Sequence, residues 1–166
     1  MFEGGEAGAS SVYSTSPSYA PANAFLTGSH SEWLSGRDAE GGGDVAVSFP
    51  HLIWYKFPQP FRPGQVSFRP RQGTGCDPGF CGATKYQFVG TNDDVCDQFS
   101  RWTVLCQDLS GETLKRKSSS KYFLVNDGIR EDFTCLGINV LESSFGSQSE
   151  VSVNGIRMWK RVYFDN

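Results

Sequence analysis

The stretch Val66-Ser67-Phe68-Arg69 alternates apolar and polar side chains, and Val45-Ala46-Val47-Ser48-Phe49 repeats the pattern. Successive side chains of a β-strand point to opposite faces, so the alternation predicts strands with one face on a core and the other toward water. Half-buried strands of this kind occur in antiparallel sheets. The two stretches therefore predict an antiparallel β protein.

Further strand-like runs follow, separated by turn-forming clusters. The clusters include Gly41-Gly42-Gly43, Pro58-Gln59-Pro60, Pro63-Gly64 and Asn126-Asp127-Gly128, whose backbone preferences oppose a continued strand or helix. Short runs at this spacing are typical of a β-sandwich or barrel. The predicted strands cover residues 45–49, 53–57, 66–69, 86–90, 102–109, 122–125, 133–141 and 151–164.

Length and composition predict one domain with few helices. The chain has 166 residues, of which 19 are Gly and 8 are Pro, and 14% are aromatic. Gly and Pro disfavour helix interiors, whereas aromatic residues suit half-buried strands. A chain of this length fits a single domain. We expect residues 1–9 to form a flexible N-terminal segment and residues 10–166 to form the β-sandwich domain.

Charge and hydropathy argue against two classes of protein. Fifteen Lys and Arg stand against 18 Asp and Glu, which gives a formal net charge of -3 and a pI near 5.3. Nucleic-acid-binding domains usually have clustered positive charge and a pI above about 9. No run approaches the roughly 18 consecutive apolar residues that a membrane-spanning helix needs. We therefore expect a soluble protein that does not bind nucleic acid.

Five cysteines lie between residues 76 and 135, without the spacing or the histidines of a zinc site. Disulfides are expected instead, and they imply an extracellular or secreted location. The first residues lack the basic and apolar regions of a signal peptide. We therefore expect that a leader has been removed, or that Met1 was added for expression and is not native. The odd cysteine is either a buried thiol or a link between chains.

A series of short motifs, read in order, resembles the discoidin family, also called the factor V/VIII type C domain. The most specific motif is Tyr86-Gln87-Phe88-Val89-Gly90-Thr91-Asn92-Asp93, followed by Trp102-Thr103. The resemblance covers nearly the whole domain and implies an all-β, antiparallel jelly-roll β-sandwich of the galactose-binding-like kind. The other motifs are Ser10-Ser11-Val12-Tyr13, Pro21-Ala22-Asn23-Ala24-Phe25, Trp33, Ile53-Trp54-Tyr55-Lys56-Phe57 and Ile156-Arg157-Met158.

In that architecture, loops at one end of the sandwich form the ligand site. The resemblance assigns this role to residues 14–21, 34–44, 71–84 and 142–150. Guanidinium and carboxylate groups hold polar ligands by directed hydrogen bonds, and exposed aromatic rings stack on sugar faces. The alternative for each residue is an ordinary solvated side chain or an aromatic that packs its own loop. The ligand-binding residues implied are Tyr19, Arg37, Asp38, Arg71, Phe80 and Phe145.

The cysteine spacing suggests disulfides but leaves their pairing open. Cys76 and Cys81 enclose four residues, and a bond between them would hold Phe80 at a restricted loop tip, which lowers the ordering cost of binding. Cys96 and Cys106 flank a turn and could pair across it, which would leave Cys135 free. Cys135 could instead pair with Cys96 or Cys106.

The resemblance also bears on metal binding. Many relatives carry an Asp-Gly pair after the Ala-Phe segment, whereas this chain reads Phe25-Leu26-Thr27-Gly28. Carboxylates supply most of the affinity for Ca²⁺, so we predict no metal site and no cofactor. Weak calcium binding by backbone carbonyls of residues 23–29 stays an alternative. The acidic residues Asp93, Asp94 and Asp97 are explained by a turn, with a cation site as the alternative.

The sequence carries little that indicates catalysis. Its two histidines, His30 and His51, belong to no nucleophile elbow, phosphate-binding loop or metal-binding helix motif. We therefore expect a non-enzymatic extracellular recognition module that binds glycans or cell-surface ligands through loops at one end. The alternatives are a protein–protein adhesion or matrix component and, third, a module that docks on phospholipid membranes. We expect all four tryptophans to lie in the core.

Overall fold

The computed structural model of the protein describes residues 4–13, 16–26, 32–36, 48–70, 82–112, 121–143 and 151–161. Within these ranges there are nine strands and two short 3-10 helices, Pro17–Tyr19 and Pro21–Phe25, but no α-helix. No helix in the described part is long and apolar enough to cross a membrane. The strands are β1 (Glu6–Ala9), β2 (Glu32–Leu34), β3 (His51–Phe61), β4 (Pro63–Pro70), β5 (Ala83–Thr91), β6 (Thr103–Asp108), β7 (Lys121–Leu124), β8 (Phe133–Ser143) and β9 (Ser152–Lys160).

The nine strands form two antiparallel sheets. One has five strands in the order β1-β3-β8-β5-β6, and the other has four strands in the order β2-β9-β4-β7. Nearly every strand is followed by a strand of the other sheet, so the chain repeatedly crosses between the two layers. The all-β, antiparallel jelly-roll β-sandwich predicted from the sequence is confirmed.

The alternation at residues 66–69 correctly predicts which side chains of β4 face the core, but the predicted exposure of the other face is wrong for Ser67, which is 0% exposed. Val66 and Phe68 of β4 face the other sheet and are 1% and 0% exposed. The Phe68 ring meets the Tyr86 ring of β5 edge-on, with 4.7 Å between the ring centroids. Because β4 and β5 belong to different sheets, this aromatic contact holds the two layers together. Burying a large apolar side chain stabilises a fold by about 1.5–3 kcal/mol.

Strand β1 begins at Glu6, so the boundary predicted at residue 10 is wrong for residues 6–9. Ala7 and Ala9 pack against the core, and β1 pairs with β3 along its whole length. Gly8 lies against the Trp54 ring, where any Cβ would collide with ring atoms. Small side chains let this edge strand lie close to β3, yet they give no hydrophobic pattern that sequence reasoning could read.

Two details of the predicted strand list also differ from the structure. Of the predicted strand at 45–49, Ser48 and Phe49 lie outside any strand, and residues 45–47 are not among the described residues. Strand β3 continues through residues 58–60, which a pair of prolines had assigned to a turn. Its pairing with β8 breaks off after Lys56 and resumes at Phe61, because proline has no N–H to give to a ladder.

Several strand ends of both sheets meet at one end of the sandwich, called here the loop end. In the four-stranded sheet, Leu34 at the end of β2 lies opposite Ser152 at the start of β9. In the five-stranded sheet, Ala83 at the start of β5 lies opposite Ser143 at the end of β8. The strands that flank the predicted loops therefore end or begin at matching positions in each sheet.

Residues 10–13 join the two sheets at the loop end. The Ser10 N–H donates to the Leu52 carbonyl at 2.8 Å, near the start of β3. The Tyr13 N–H donates to the Leu34 carbonyl at 2.7 Å, at the end of β2. One short segment is thus hydrogen-bonded to both layers. The end of β2 and the start of β3 therefore lie at the same end of the sandwich.

Candidate functional site

Tyr19 is the one predicted ligand residue that lies within the described ranges. It ends the 3-10 helix Pro17–Tyr19 and is half-buried. Its ring meets the Tyr13 ring edge-on with 5.5 Å between centroids, so Tyr19 lies beside the segment that joins the sheets. Its role in binding stays a prediction. The other predicted ligand residues, Arg37, Asp38, Arg71, Phe80 and Phe145, lie outside the described residues.

The disulfide in the described part joins Cys96 to Cys135, with 6.5 Å between their Cα atoms. Cys135 is in β8 and lies opposite Thr91, the last residue of β5. The chain that follows Thr91 therefore begins next to β8, which brings Cys96 within reach. The pairing of Cys96 with Cys106 was one of the alternatives that the spacing left open, and it is wrong. Cys76 and Cys81 are not among the described residues.

Cys106 is a free, buried thiol rather than a disulfide partner. Its side chain belongs to the hydrophobic core, which turns it away from the loop between β5 and β6. Burial raises the pKa of this thiol to about 12, because a thiolate loses its hydration there. The prediction that Cys106 is half of a disulfide is therefore corrected. Cys135, which had been considered as a link between chains, is used within the chain.

Residues 92–102, named here the 92–102 loop, are held in shape by two of their own carboxylates. Asp97 Oδ1 accepts a hydrogen bond from the Phe99 N–H at 2.8 Å, and the Asp97 N–H donates to Ser100 Oγ at 3.0 Å. Asp93 Oδ2 accepts the Arg101 N–H at 2.7 Å. These carboxylates cap turns, as the turn interpretation predicted. Among the described residues, no group of three or more side chains could hold a metal ion.

The 92–102 loop is also fastened to the outer face of the five-stranded sheet. Lys56 Nζ donates to the Asp94 carbonyl at 2.6 Å, and Lys56 alternates with the core residue Tyr55 along β3. The Lys56 side chain therefore leaves the sheet on the side away from the core. Together with the disulfide from Cys96 to β8, this bond lays the loop against the outer face.

Between the loop and the sheet lies a half-open groove of about 430 Å³, called here the sheet-face groove. Its floor includes Leu52 and Asn139, which lie opposite each other on β3 and β8. Their chain neighbours Ile53 and Ile138 are fully buried in the core, so the floor residues belong to the outer face. The lining residues are Ser10, Ser48, Phe49, Pro50, Leu52, Gln98, Phe99, Trp102 and Asn139.

Sequence reasoning missed this groove. Trp102 was expected in the core because it begins an apolar run, but it is half-buried and its Nε1 donates to the Asp97 carbonyl at 2.9 Å. Phe99 is 84% exposed. An aromatic residue within a turn cluster was the available signal, since turns at a surface rarely need a large ring. The core expectation holds for Trp33, which is fully buried, and fails for Trp159, which is 37% exposed.

No family model matches the sequence, and no curated protein matches it. Solved structures do match it over nearly its whole length. A family 32 carbohydrate-binding module from Clostridium perfringens, solved with galactose, has a TM-score of 0.61 and 13% identity, over 93% of this chain and 92% of that chain. A second Clostridium perfringens module, solved with GalNAc-β-1,3-galactose, has a TM-score of 0.65 and 13% identity, over 93% of this chain and 94% of that chain.

A third similar structure comes from another organism. Chitosan-binding module 2 of a chitosanase/glucanase from Paenibacillus sp. IK-5, solved with chitotriose, has a TM-score of 0.62 and 10% identity, over 93% of this chain and 95% of that chain. Identities this low carry the fold and leave function to be argued separately. The fold is the antiparallel jelly-roll β-sandwich that these modules share, and the fold that the resemblance implied is confirmed.

Proposed function

We propose that the protein is a non-enzymatic extracellular module that binds glycans. The observation that carries the proposal is the match, over more than nine-tenths of both chains, to domains solved with galactose, GalNAc-β-1,3-galactose and chitotriose. Each of those domains is a binding module in its own right. Because one fold hosts many functions, the proposal also needs support from this chain's own residues.

The paired strand ends at the loop end support the proposal. The strands that border the predicted loops are paired at Leu34 with Ser152 and at Ala83 with Ser143. A paired strand end gives a loop a fixed base, so fewer conformations are lost when a ligand binds. On this proposal Arg37, Asp38 and Arg71 supply polar contacts and the aromatic residues supply stacking surfaces. The aromatic residues proposed are Tyr19, Phe80 and Phe145.

The disulfide between Cys96 and Cys135 supports an extracellular location. Stable disulfides form in oxidising compartments and are rare in the cytosol. The bond also bears on the adhesion alternative, in which the odd cysteine would link two chains. Cys135 is paired within the chain and Cys106 is buried, which favours a binding module over a disulfide-linked assembly for the described cysteines.

A binding role, without catalysis, is supported by what His51 does. This residue is fully buried, and its Nδ1 lies 2.9 Å from Ser11 Oγ. Ser11 Oγ also accepts the Gly36 N–H at 3.4 Å, so the pair connects β3 to the chain after β2. A histidine in that setting holds the scaffold together at the loop end.

Among the similar structures, one module comes from a family 31 glycoside hydrolase of Clostridium perfringens, an example of a binding module attached to an enzyme.

The proposal is tested on a glycan array. The wild type should bind at least one class of oligosaccharide, and Arg71→Ala and Phe80→Ala should each weaken that binding by about tenfold. Arg130→Ala is the matched control, since Arg130 is an exposed arginine in the connection between β7 and β8. A wild type that binds no glycan on the array would refute the function, and unchanged binding in both loop variants would move the site away from the loop end.

A further inference from the structure

We infer that the sheet-face groove is a second glycan site and that it takes a neutral sugar. The inference rests on the proposed function, and it names a place and a ligand class that the loop-end site does not cover. It follows from four properties of the described lining: an exposed aromatic surface, free polar groups, the absence of charge, and a wall that is already rigid.

The aromatic surface comes from both sides of the groove. Phe99 stands 84% exposed on the 92–102 loop, and Phe49 is half-buried just before β3. Trp102 is half-buried and adds part of its indole ring to the lining. Its Nε1 donates to the Asp97 carbonyl at 2.9 Å, which holds the ring in place. The C–H face of a pyranose ring is apolar, and it packs on aromatic faces with the hydroxyl groups directed sideways. The groove thus offers aromatic rings on which a sugar can stack.

The polar groups of the lining are available to a ligand. The side chains of Gln98 and Ser48 are exposed and make no hydrogen bond within the described part of the chain. Asn139 Nδ2 donates to Gln87 Oε1 at a long distance of 3.5 Å, which leaves the side-chain oxygen Oδ1 of Asn139 available to a ligand. Amides and hydroxyls both donate and accept, which is what the hydroxyl groups of a sugar require. Three such groups around one aromatic surface are typical of a small-molecule site.

The lining points to a neutral ligand. None of the described residues that line the groove carries an ionisable side chain. Two carboxylates of the same loop, those of Asp93 and Asp97, accept hydrogen bonds from backbone N–H groups of the loop itself. A sulfated or sialylated glycan would have to desolvate its negative charge against a described lining that contains no Lys or Arg, which is costly. A neutral hexose or N-acetylhexosamine has no such cost.

The wall of the groove is fixed before any ligand arrives. The Cys96–Cys135 disulfide and the Lys56 bond to the Asp94 carbonyl fasten the 92–102 loop to the sheet. Ser100 Oγ also donates to the Val95 carbonyl at 2.7 Å inside the loop. A pre-ordered loop loses little conformational freedom on binding, which is needed when only a few contacts hold a small ligand. The volume of about 430 Å³ is within the range of small-ligand sites.

The test separates the groove from the loop end. The Arg71→Ala Phe80→Ala double variant is applied to an array of neutral oligosaccharides and of sialylated and sulfated forms of the same backbones. Residual binding to neutral glycans is expected, and adding Phe99→Ala should weaken it about tenfold or more. Val95→Ala is the matched control, because Val95 is 68% exposed on the same loop and does not line the groove. Binding should change little between 50 and 500 mM NaCl, since no charge is involved.

Each other outcome counts against the inference in a distinct way. If the wild type binds glycans but Phe99→Ala behaves like Val95→Ala, the groove is not a sugar site while the proposed function survives. If residual binding is confined to sialylated or sulfated glycans, the neutral ligand class is wrong. If the wild type binds no glycan, the proposed function and this inference fail together.

Discussion

Cys96 and Cys135 form a disulfide that joins a wall of the sheet-face groove to the sheet beneath it. Cys96 is in the 92–102 loop and Cys135 is in β8, one of the three central strands of the five-stranded sheet. The bond spans 39 residues of sequence, so it links positions that are far apart in the unfolded chain. It therefore acts on stability through the unfolded state, and in the folded protein it fastens the 92–102 loop to β8.

Removing this disulfide should destabilise the protein. The chain-entropy estimate for a loop of 39 residues is about 4 kcal/mol. We expect Cys96→Ala Cys135→Ala to unfold at a clearly lower urea concentration than the wild type, as followed by tryptophan fluorescence. Cys106→Ala is the control for loss of a sulfur, because it leaves the bond in place. Equal midpoints for the double variant and the wild type would show that the bond does not constrain the chain.

Cys106 should react slowly with thiol reagents in the folded protein. Only the thiolate is nucleophilic, and burial raises the pKa of Cys106 from 9.0 to about 12, so the thiol is protonated at pH 8.5. Iodoacetamide labelling of the peptide that contains Cys106, followed by mass spectrometry, should be much faster in 8 M urea than in buffer. Similar rates in the two conditions would mean that the thiol is exposed.

The same pKa predicts how Cys106 contributes to stability at alkaline pH. The folded state holds the thiol proton more tightly than the unfolded state, so the stabilising contribution is complete below about pH 9. It is lost as the pH rises from about 9 toward about 12. Urea titrations at pH 8 and pH 10 should therefore show that the free energy of unfolding falls less between the two pH values for Cys106→Ala than for the wild type. A loss of the same size in both proteins would contradict the buried position of the thiol.

Gly137 should not tolerate a side chain. A Cβ at this position of β8 would lie 2.7 Å from the Ile53 carbonyl oxygen, a backbone atom that cannot move without disturbing the ladder. We expect Gly137→Ala to lower the free energy of unfolding by about 1–3 kcal/mol in urea denaturation. Gly128→Ala is the matched control, since nothing lies within 4 Å of its Cβ position, and it should stay within about 0.5 kcal/mol of the wild type.

Truncation of Phe68 should destabilise the protein, whereas truncation of Phe99 should not. Phe68 is fully buried between the sheets, so Phe68→Ala should leave a cavity and cost about 3–5 kcal/mol of stability. Phe99 is 84% exposed, so Phe99→Ala should leave the urea midpoint nearly unchanged. A large loss of stability in Phe99→Ala would mean that this ring packs within the protein rather than facing a ligand.

The fold was readable from the sequence to a large extent, because alternation is a local property. The pattern at Val66 and Phe68 predicts which residues of β4 face the core, and the runs at 86–90 and 133–141 predict β5 and β8 in the same way. Strand β1 was not readable, since small residues such as Gly8 carry no pattern even where the structure requires them. The strand forms by pairing with β3, where Gly8 lies opposite Trp54, which is 46 positions away.

The site was readable only in part. The sequence, through its resemblance to a family, predicts a loop-end site at Tyr19, Arg37, Asp38, Arg71 and other residues, and that prediction awaits the binding tests. The partner of Cys96 could not be chosen from spacing, because pairing depends on where β8 lies and β8 begins 37 positions later. The sheet-face groove could not be predicted for the same reason.

By itself, the sequence determined an all-β protein, the strands with a clear alternation and the likelihood of disulfides, since each of these depends on residue types and on neighbours along the chain. Only the tertiary structure decided which cysteines pair, that Cys106 is buried, and that Phe99 and Asn139 line one groove. Those facts depend on contacts between residues distant in sequence, which the packing of one strand beside another creates. Local chemistry determines the elements, and the pairing of strands determines which side chains meet.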